Sequence, residues 1–66
     1  MSERSRRTEI TECGGDVTSL AFAGGEARAI VKFRNRGDMN TARARLVRKG
    51  WHVLTDGVTV TATAKV

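Results

Sequence analysis

Residues 17–32 read VTSLAFAGGEARAIVK, a pattern in which apolar residues alternate with small or polar ones on both sides of Gly24-Gly25. A two-residue turn at these glycines is typical of a β-hairpin. It predicts one largely apolar face, with Phe22 opposite Ala27, Leu20 opposite Ala29 and Thr18 opposite Val31. The other face then holds Val17, Ser19 and Ala21 from the first strand, with Arg28, Ile30 and Lys32 from the second. Because both strands agree on the core side, we predict that this hairpin forms.

A second hairpin is predicted around Asp56-Gly57, another pair of residues that favours tight turns. Its register predicts an inner face on which Val53 lies opposite Val60 and Trp51 opposite Ala62. The outer face has Leu54 opposite Thr59 and His52 opposite Thr61. Because the last strand, about residues 58–65, is longer than its partner, we predict that its far end pairs with another strand.

Between the hairpins lies one segment with helical spacing. Its apolar stripe consists of Met39, Ala42 and Leu46, with Val47 at the margin. Asp38 is a good N-cap residue, and Gly50 suits the left-handed position that often follows a helix. This placement predicts that Leu46 contacts Trp51, the pair that accompanies a Schellman motif.

The N-terminal part of the chain is polar at first and then alternates. We predict a flexible basic arm over residues 1–7 and a strand over about residues 8–13. A two-residue Gly14-Gly15 turn would expose Ile10, whereas a three-residue loop would set Ile10 beside Leu20. We favour the longer loop because only that register buries the isoleucine.

Together these elements predict an α+β fold in two layers, in the order β-β-β-α-β-β, within one domain spanning residues 8–66. A mostly antiparallel sheet of four to five strands would carry one helix on one face. The other sheet face would meet solvent or a partner.

The composition argues against catalysis, cofactors and metal binding. The chain has one cysteine, Cys13, and one histidine, His52, so we expect neither a disulfide nor a metal site. The two residues fall in different predicted hairpins without a catalytic motif around them, and we predict that the protein is not an enzyme.

No run of about 18 apolar residues and no signal-peptide core occurs, which predicts a cytoplasmic protein without a membrane partner. Nine arginines against three lysines are typical of a GC-rich source such as an actinobacterium or its phage.

Positive charge is concentrated in the middle of the chain. Residues 27–50 hold eight of the 12 Lys and Arg residues and only one acid, Asp38. Along the second strand, cations recur at a spacing that suits backbone phosphates. The candidate binding residues are Arg28, Lys32, Arg34, Arg36, Arg43, Arg45 and Arg48.

Two functions remain open from these residues. The first is a small binding module for nucleic-acid backbone, duplex rather than single-stranded because Phe22, Phe33 and Trp51 all map to the inner side. The alternative is a protein-interaction or inhibitor module that docks on an acidic protein surface, since arginine suits carboxylates as well as phosphates. Ile30 and Leu54, apolar residues on the uncovered sheet face, support the alternative.

The small size of the chain predicts self-association. A chain of 66 residues has a thin core, and the end of its last strand lacks a partner in the second hairpin. We therefore expect a symmetric homodimer, formed through the open sheet face or through a free strand edge.

Overall fold

The computed structural model describes residues 2–66, and Met1, the first residue of the predicted arm, lies outside the described residues. The elements are α1 (Glu3–Thr11), β1 (Asp16–Ala23), β2 (Glu26–Lys32), α2 (Arg36–Arg48), β3 (His52–Asp56) and β4 (Thr59–Lys65). The α+β class is as predicted. The predicted order β-β-β-α-β-β and the single helix are wrong, because the order is α-β-β-α-β-β with two helices.

The sheet has four antiparallel strands in the order β1-β2-β4-β3. Helix α1 packs against β1 and β2, and helix α2 packs against β3 and β4. Alternate residues of the two central strands, β2 and β4, are buried beneath the helices. The opposite side of the sheet, called the outer face below, is not covered by either helix.

The N-terminal segment corrects the sequence interpretation. The strand predicted over about residues 8–13 is wrong, because residues 8–11 lie in helix α1. Residues 3–7 of the predicted flexible arm lie in the same helix. Ser2 caps this helix by accepting a hydrogen bond from the Ser5 backbone N–H at 3.2 Å. The buried stripe of this segment consists of Arg6, Ile10 and Cys13, which follow helical spacing. Because one of the three is an arginine, a search for hydrophobic residues at helical spacing does not detect this helix. Gly14-Gly15 therefore connect a helix to a strand.

The register of the first hairpin is correct near its turn and wrong at its far end. Phe22 lies opposite Ala27 and Leu20 opposite Ala29, as predicted. A β-bulge between Val17 and Ser19 then shifts the strand by one residue. Consequently Val17, not Thr18, lies opposite Val31 on the core side, because the bulge adds one unpaired residue to β1.

In the second hairpin, the turn lies one residue later than predicted, at Gly57-Val58. Val53 therefore faces Ala62, Leu54 faces Thr61 and His52 faces Thr63. Each partner moves by two residues, so every side chain stays on its predicted face. The far end of β4 pairs with another strand, as predicted. That strand is β2, which makes β4 a central strand.

Helix α2 begins three residues earlier than predicted. Its N-cap is Asn35, not Asp38, and the Asn35 Oδ1 atom accepts from the Asp38 backbone N–H at 2.8 Å. The C-terminal end is as predicted, since Gly50 has φ +92° and the Trp51 N–H donates to the Leu46 carbonyl at 2.9 Å. That bond, with the one from Gly50 N–H to Val47 O at 3.1 Å, forms a Schellman motif.

The fold consists of two αββ units that repeat at an interval of 33 residues. The N-caps Ser2 and Asn35 are equivalent, and so are the turn residues Gly24 and Gly57. Two matching bonds follow the hairpins, from Phe33 N–H to Val58 O and from Val66 N–H to Gly25 O, both 2.9 Å. Ala29 pairs with Ala62 at the centre of the sheet. The two units are thus related by an approximate twofold axis through this pair.

A buried polar network holds α1 onto the rest of the domain. The Arg6 side chain is 8% exposed and donates to the Lys49 carbonyl at 2.8 Å and to Glu9 Oε1 at 3.0 Å. The Trp51 indole N–H donates to the same carboxylate oxygen at 2.9 Å. Trp51 is 3% exposed, which confirms its predicted place in the core. Within residues 2–66, neither helix has the length and apolar character needed to cross a lipid bilayer.

Candidate nucleic-acid interface

Helix α2 carries most of the candidate cations on its solvent side. Its buried stripe is Met39, Ala42 and Leu46, and this stripe faces the sheet. At 3.6 residues per turn, the ridge opposite the stripe contains Ala44, Thr41 and Arg48. Arginines lie on both flanks of that ridge. The exposed residues on this side include Asn40, Thr41 and Ala44, together with Val47, which is 52% exposed and does not belong to the buried stripe. The exposed arginines are Arg36, Arg43, Arg45 and Arg48.

These arginines are poorly neutralised by the protein itself. Among residues 2–66 there are two salt bridges, the buried pair Arg6–Glu9 and the exposed pair Arg34–Asp38, whose atoms are 3.9 Å apart. Arg36, Arg43 and Arg48 therefore have no carboxylate oxygen of this part of the chain within 4.0 Å. Exposed helices usually pair such charges with acids three or four residues away. Helix α2 has one acid, Asp38, in its first turn.

On the side of α2 that faces α1, the cations have acidic neighbours. Arg45 and Lys49 line a crevice of about 140 Å³ together with Glu9 and Glu12 of α1. Glu9 is already paired with the buried Arg6, so Glu12 is the acid that offsets part of the positive charge on that side. Within α2, the cations farthest from compensating acids are therefore Arg36, Arg43 and Arg48.

The outer face of the sheet is balanced in charge. Arg28 and Lys32 extend from β2 on this face, where Arg28 lies between Ala21 and Thr63 and Lys32 lies between Asp16 and Thr59. The face as a whole has three cations and three acids with His52 neutral. The cations are Arg28, Lys32 and Lys65, and the acids are Asp16, Glu26 and Asp56.

The structure separates the sequence candidates into two groups. It gathers Arg36, Arg43, Arg45 and Arg48 on α2, with Arg34 in the preceding loop. Arg28 and Lys32 lie on the opposite side of the domain, so Arg28, Lys32 and Arg34 do not share one strand face.

Sequence reasoning did not place Arg4 and Arg7 on a helix. Both are exposed on α1, in the same layer as α2, and the Arg7 guanidinium lies 5.2 Å from the centre of the Phe22 ring. Their spacing of three residues and the N-cap residue Ser2 were the available signals of a helix.

Other chemistry-bearing groups are dispersed. Cys13 is buried beside α1, whereas His52 is exposed on the outer face. No three His, Cys, Asp or Glu side chains among residues 2–66 come together as a metal site. Phe33 and Trp51 are buried and Phe22 is half-buried, so α2 presents no aromatic ring to a partner.

Comparisons with known proteins return no relative. No protein-family model, curated protein or solved structure matches this chain. The charges and their arrangement are therefore the basis for assigning a function.

Proposed function

We propose that this protein is a small basic module that binds the backbone of duplex nucleic acid through helix α2. The observation that carries the proposal is the exposed side of α2, where Arg36, Arg43 and Arg48 share a helix with one acid, Asp38, which is itself paired with Arg34. Folding alone gives no reason to keep several arginines on one helix with a single acid, since like charges repel one another. Phosphate groups supply the missing negative charge.

The dimensions of α2 suit the major groove of B-form DNA. A helix with its side chains is about 10 to 12 Å across, and the groove is about 12 Å wide. With Asn40 and Ala44 directed into the groove, Arg43 on one flank and Arg48 on the other would reach phosphates of the two strands. This arrangement supports binding of a duplex by its backbone, with contacts that position the protein without specifying a sequence.

The lack of exposed rings supports a duplex over a single strand. Proteins that bind single strands usually stack bases on aromatic side chains. The two most buried rings, Phe33 and Trp51, are 4% and 3% exposed and belong to the core. A partner of α2 would therefore meet guanidinium groups, short polar side chains and Val47, which is 52% exposed.

A salt titration with two matched triple variants tests the proposal. Fluorescence anisotropy with a random-sequence duplex DNA gives the slope of log K against log salt for each protein. Replacing Arg36, Arg43 and Arg48 with glutamine should reduce the slope by roughly 0.9 for each phosphate that the variant no longer neutralises. The control variant, with Arg28, Lys32 and Lys65 replaced by glutamine, removes the same charge from the outer face.

The two variants make the outcome decisive. We expect the control to keep more of the affinity and of the slope than the α2 variant does. Equal losses in both would show that net charge alone drives binding. An α2 variant that binds like the parent would contradict a role for this helix.

The outer face favours a second candidate, docking on an acidic protein surface. Leu54 is 62% exposed there, and Ile30 is half-buried in the same cross-strand row, next to Arg28 and Lys32 along β2. For this function, poly-L-glutamate is a suitable probe. The parent should bind it more tightly than duplex DNA at equal salt, and the outer-face variant should lose that binding.

A further inference from the structure

The edge strand β1 lacks most of the features that protect an exposed sheet edge. Strand β1 is eight residues long and forms one border of the sheet. Its only charged residue is Asp16 at the beginning, and it contains no lysine, arginine or proline. Native edges are usually short, charged or interrupted, because free backbone groups otherwise pair with another strand.

The opposite edge of the sheet is better protected. Strand β3 has five residues, and it begins with His52 and ends with Asp56. In β1 the protective bulge lies at one end, between Val17 and Ser19. Residues 19–23 are regularly paired with β2 and uncharged, so their outward backbone groups are accessible to a further strand.

We propose that a second copy of this protein pairs with this edge, β1 against β1, antiparallel and centred on Ala21. In that register Leu20 of one copy faces Phe22 of the other, twice across the twofold axis. Both side chains are half-buried on the helical side of the sheet. Aromatic residues paired with aliphatic ones across strands stabilise a sheet, and Ser19 would face Ala23 without a clash of charges.

Charge favours a second copy at this edge over other parts of the surface. The chain carries a net charge of +5, so two copies repel each other wherever basic surfaces meet. Residues 17–23 contain no charge, and their pattern is complementary to itself. The Arg7 guanidinium stacks on Phe22 beside the pairing, so we expect that salt strengthens the dimer by screening the two copies of Arg7.

The pairing has a consequence that rests on the proposed function. Both copies would have their helices on the same side of a continuous eight-stranded sheet. With strands about 4.8 Å apart, the two α2 helices would lie roughly 30 Å from each other. One turn of B-form DNA is about 34 Å, so the two helices would meet successive turns of one duplex.

Charge-swap variants at Ala21 test the dimer without nucleic acid. Ala21 is exposed on the outer face, so a long polar side chain there should be tolerated by the fold. Sedimentation velocity at high micromolar concentration should show a dimer for the parent and monomers for A21K and for A21E. An equimolar mixture of A21K and A21E should restore the dimer, because unlike charges then meet at the axis. L54K and L54E on β3 are the matched controls, and they should remain dimeric.

Several outcomes would overturn the proposal. A monomeric parent at high micromolar concentration would do so directly. Assemblies larger than a dimer would show β1 pairing with β3 of a neighbour instead. A dimer that L54K disrupts and A21K leaves intact would place the contact at β3 or on the outer face of the sheet. Thermal unfolding followed by circular dichroism shows whether each variant is folded.

Discussion

The Arg6 Nε atom donates to the backbone carbonyl of Lys65 across a distance of 2.9 Å, although the two residues are 59 positions apart. Lys65 is the last residue of β4, where β3 no longer runs beside it. The same guanidinium donates to the Lys49 carbonyl at the end of α2. One buried side chain thus satisfies two carbonyls at the ends of elements and attaches α1 to the second half of the chain.

This geometry predicts that lysine cannot replace Arg6. A lysine ammonium lacks the planar fork that reaches two carbonyls and Glu9 together, so R6K should leave buried polar groups without partners. We expect a loss of about 3 kcal/mol or more in the free energy of unfolding, measured by urea denaturation. R7K is the matched control, since Arg7 is exposed. Equal stability of R6K and R7K would contradict the role of the buried network.

Trp51 is predicted to contribute through packing and through one hydrogen bond, and two substitutions separate the contributions. W51A removes a side chain that is 3% exposed and should cost about 3 to 5 kcal/mol, enough to unfold most of a domain this small. W51F keeps a ring in the core but loses the indole N–H donor to Glu9, which should cost about 1 to 3 kcal/mol. Chemical denaturation followed by circular dichroism measures both. A cooperatively folded W51A protein as stable as the parent would show that the core is assigned wrongly.

Gly15 is predicted to be required for close packing. A Cβ atom at this position would lie 2.5 Å from Val31 Cγ1 and 2.6 Å from the Phe33 ring. G15A should therefore destabilise the domain by about 1 to 3 kcal/mol through overpacking. G14A is the comparison, because Gly14 has φ +93° and open space, and it should cost about 1 kcal/mol from backbone strain alone. Thermal melts that rank G14A as the more damaging change would contradict this assignment.

Sequence reasoning predicted the hairpins and α2 because their signals are local. Alternation around Gly24-Gly25 and the cap at Gly50 involve neighbouring residues only. Helix α1 was missed because the burial of Arg6 depends on carbonyls 43 and 59 positions away. The repeat was missed because its two halves have little sequence in common. At the interval of 33 residues, only four positions are identical, namely Thr8 and Thr41, Gly24 and Gly57, Ala29 and Ala62, and Lys32 and Lys65.

The candidate site was predicted in part for a similar reason. The density of cations in residues 27–50 is visible in the sequence. The neutralisation of these cations by nearby acids is not visible in the sequence, because it depends on the order of the strands in the sheet. Asp16 lies beside Lys32 and Glu26 lies beside Lys65 through pairings that the sequence does not specify. Only the sheet topology shows that the outer face is balanced and that α2 is not.

The repeat supplies a matched pair of substitutions for the proposed function. Thr41 on α2 and Thr8 on α1 occupy equivalent positions 33 residues apart, and both are exposed. T41E places a carboxylate among the arginines of α2, four residues before Arg45, where it also favours the helix. We therefore expect T41E to stay folded and to weaken binding to duplex DNA on the order of tenfold at moderate salt, or about 1.4 kcal/mol.

T8E introduces the same charge on the neighbouring helix, and anisotropy titrations at two salt concentrations compare the two proteins. Because net charge changes equally in both, any difference in affinity reports the position of the new carboxylate relative to the nucleic acid. We expect T8E to bind more tightly than T41E, with the gap narrowing as salt screens the repulsion. If T8E lost as much affinity as T41E, binding would follow the overall charge of the protein, and α2 would not be the contacting element.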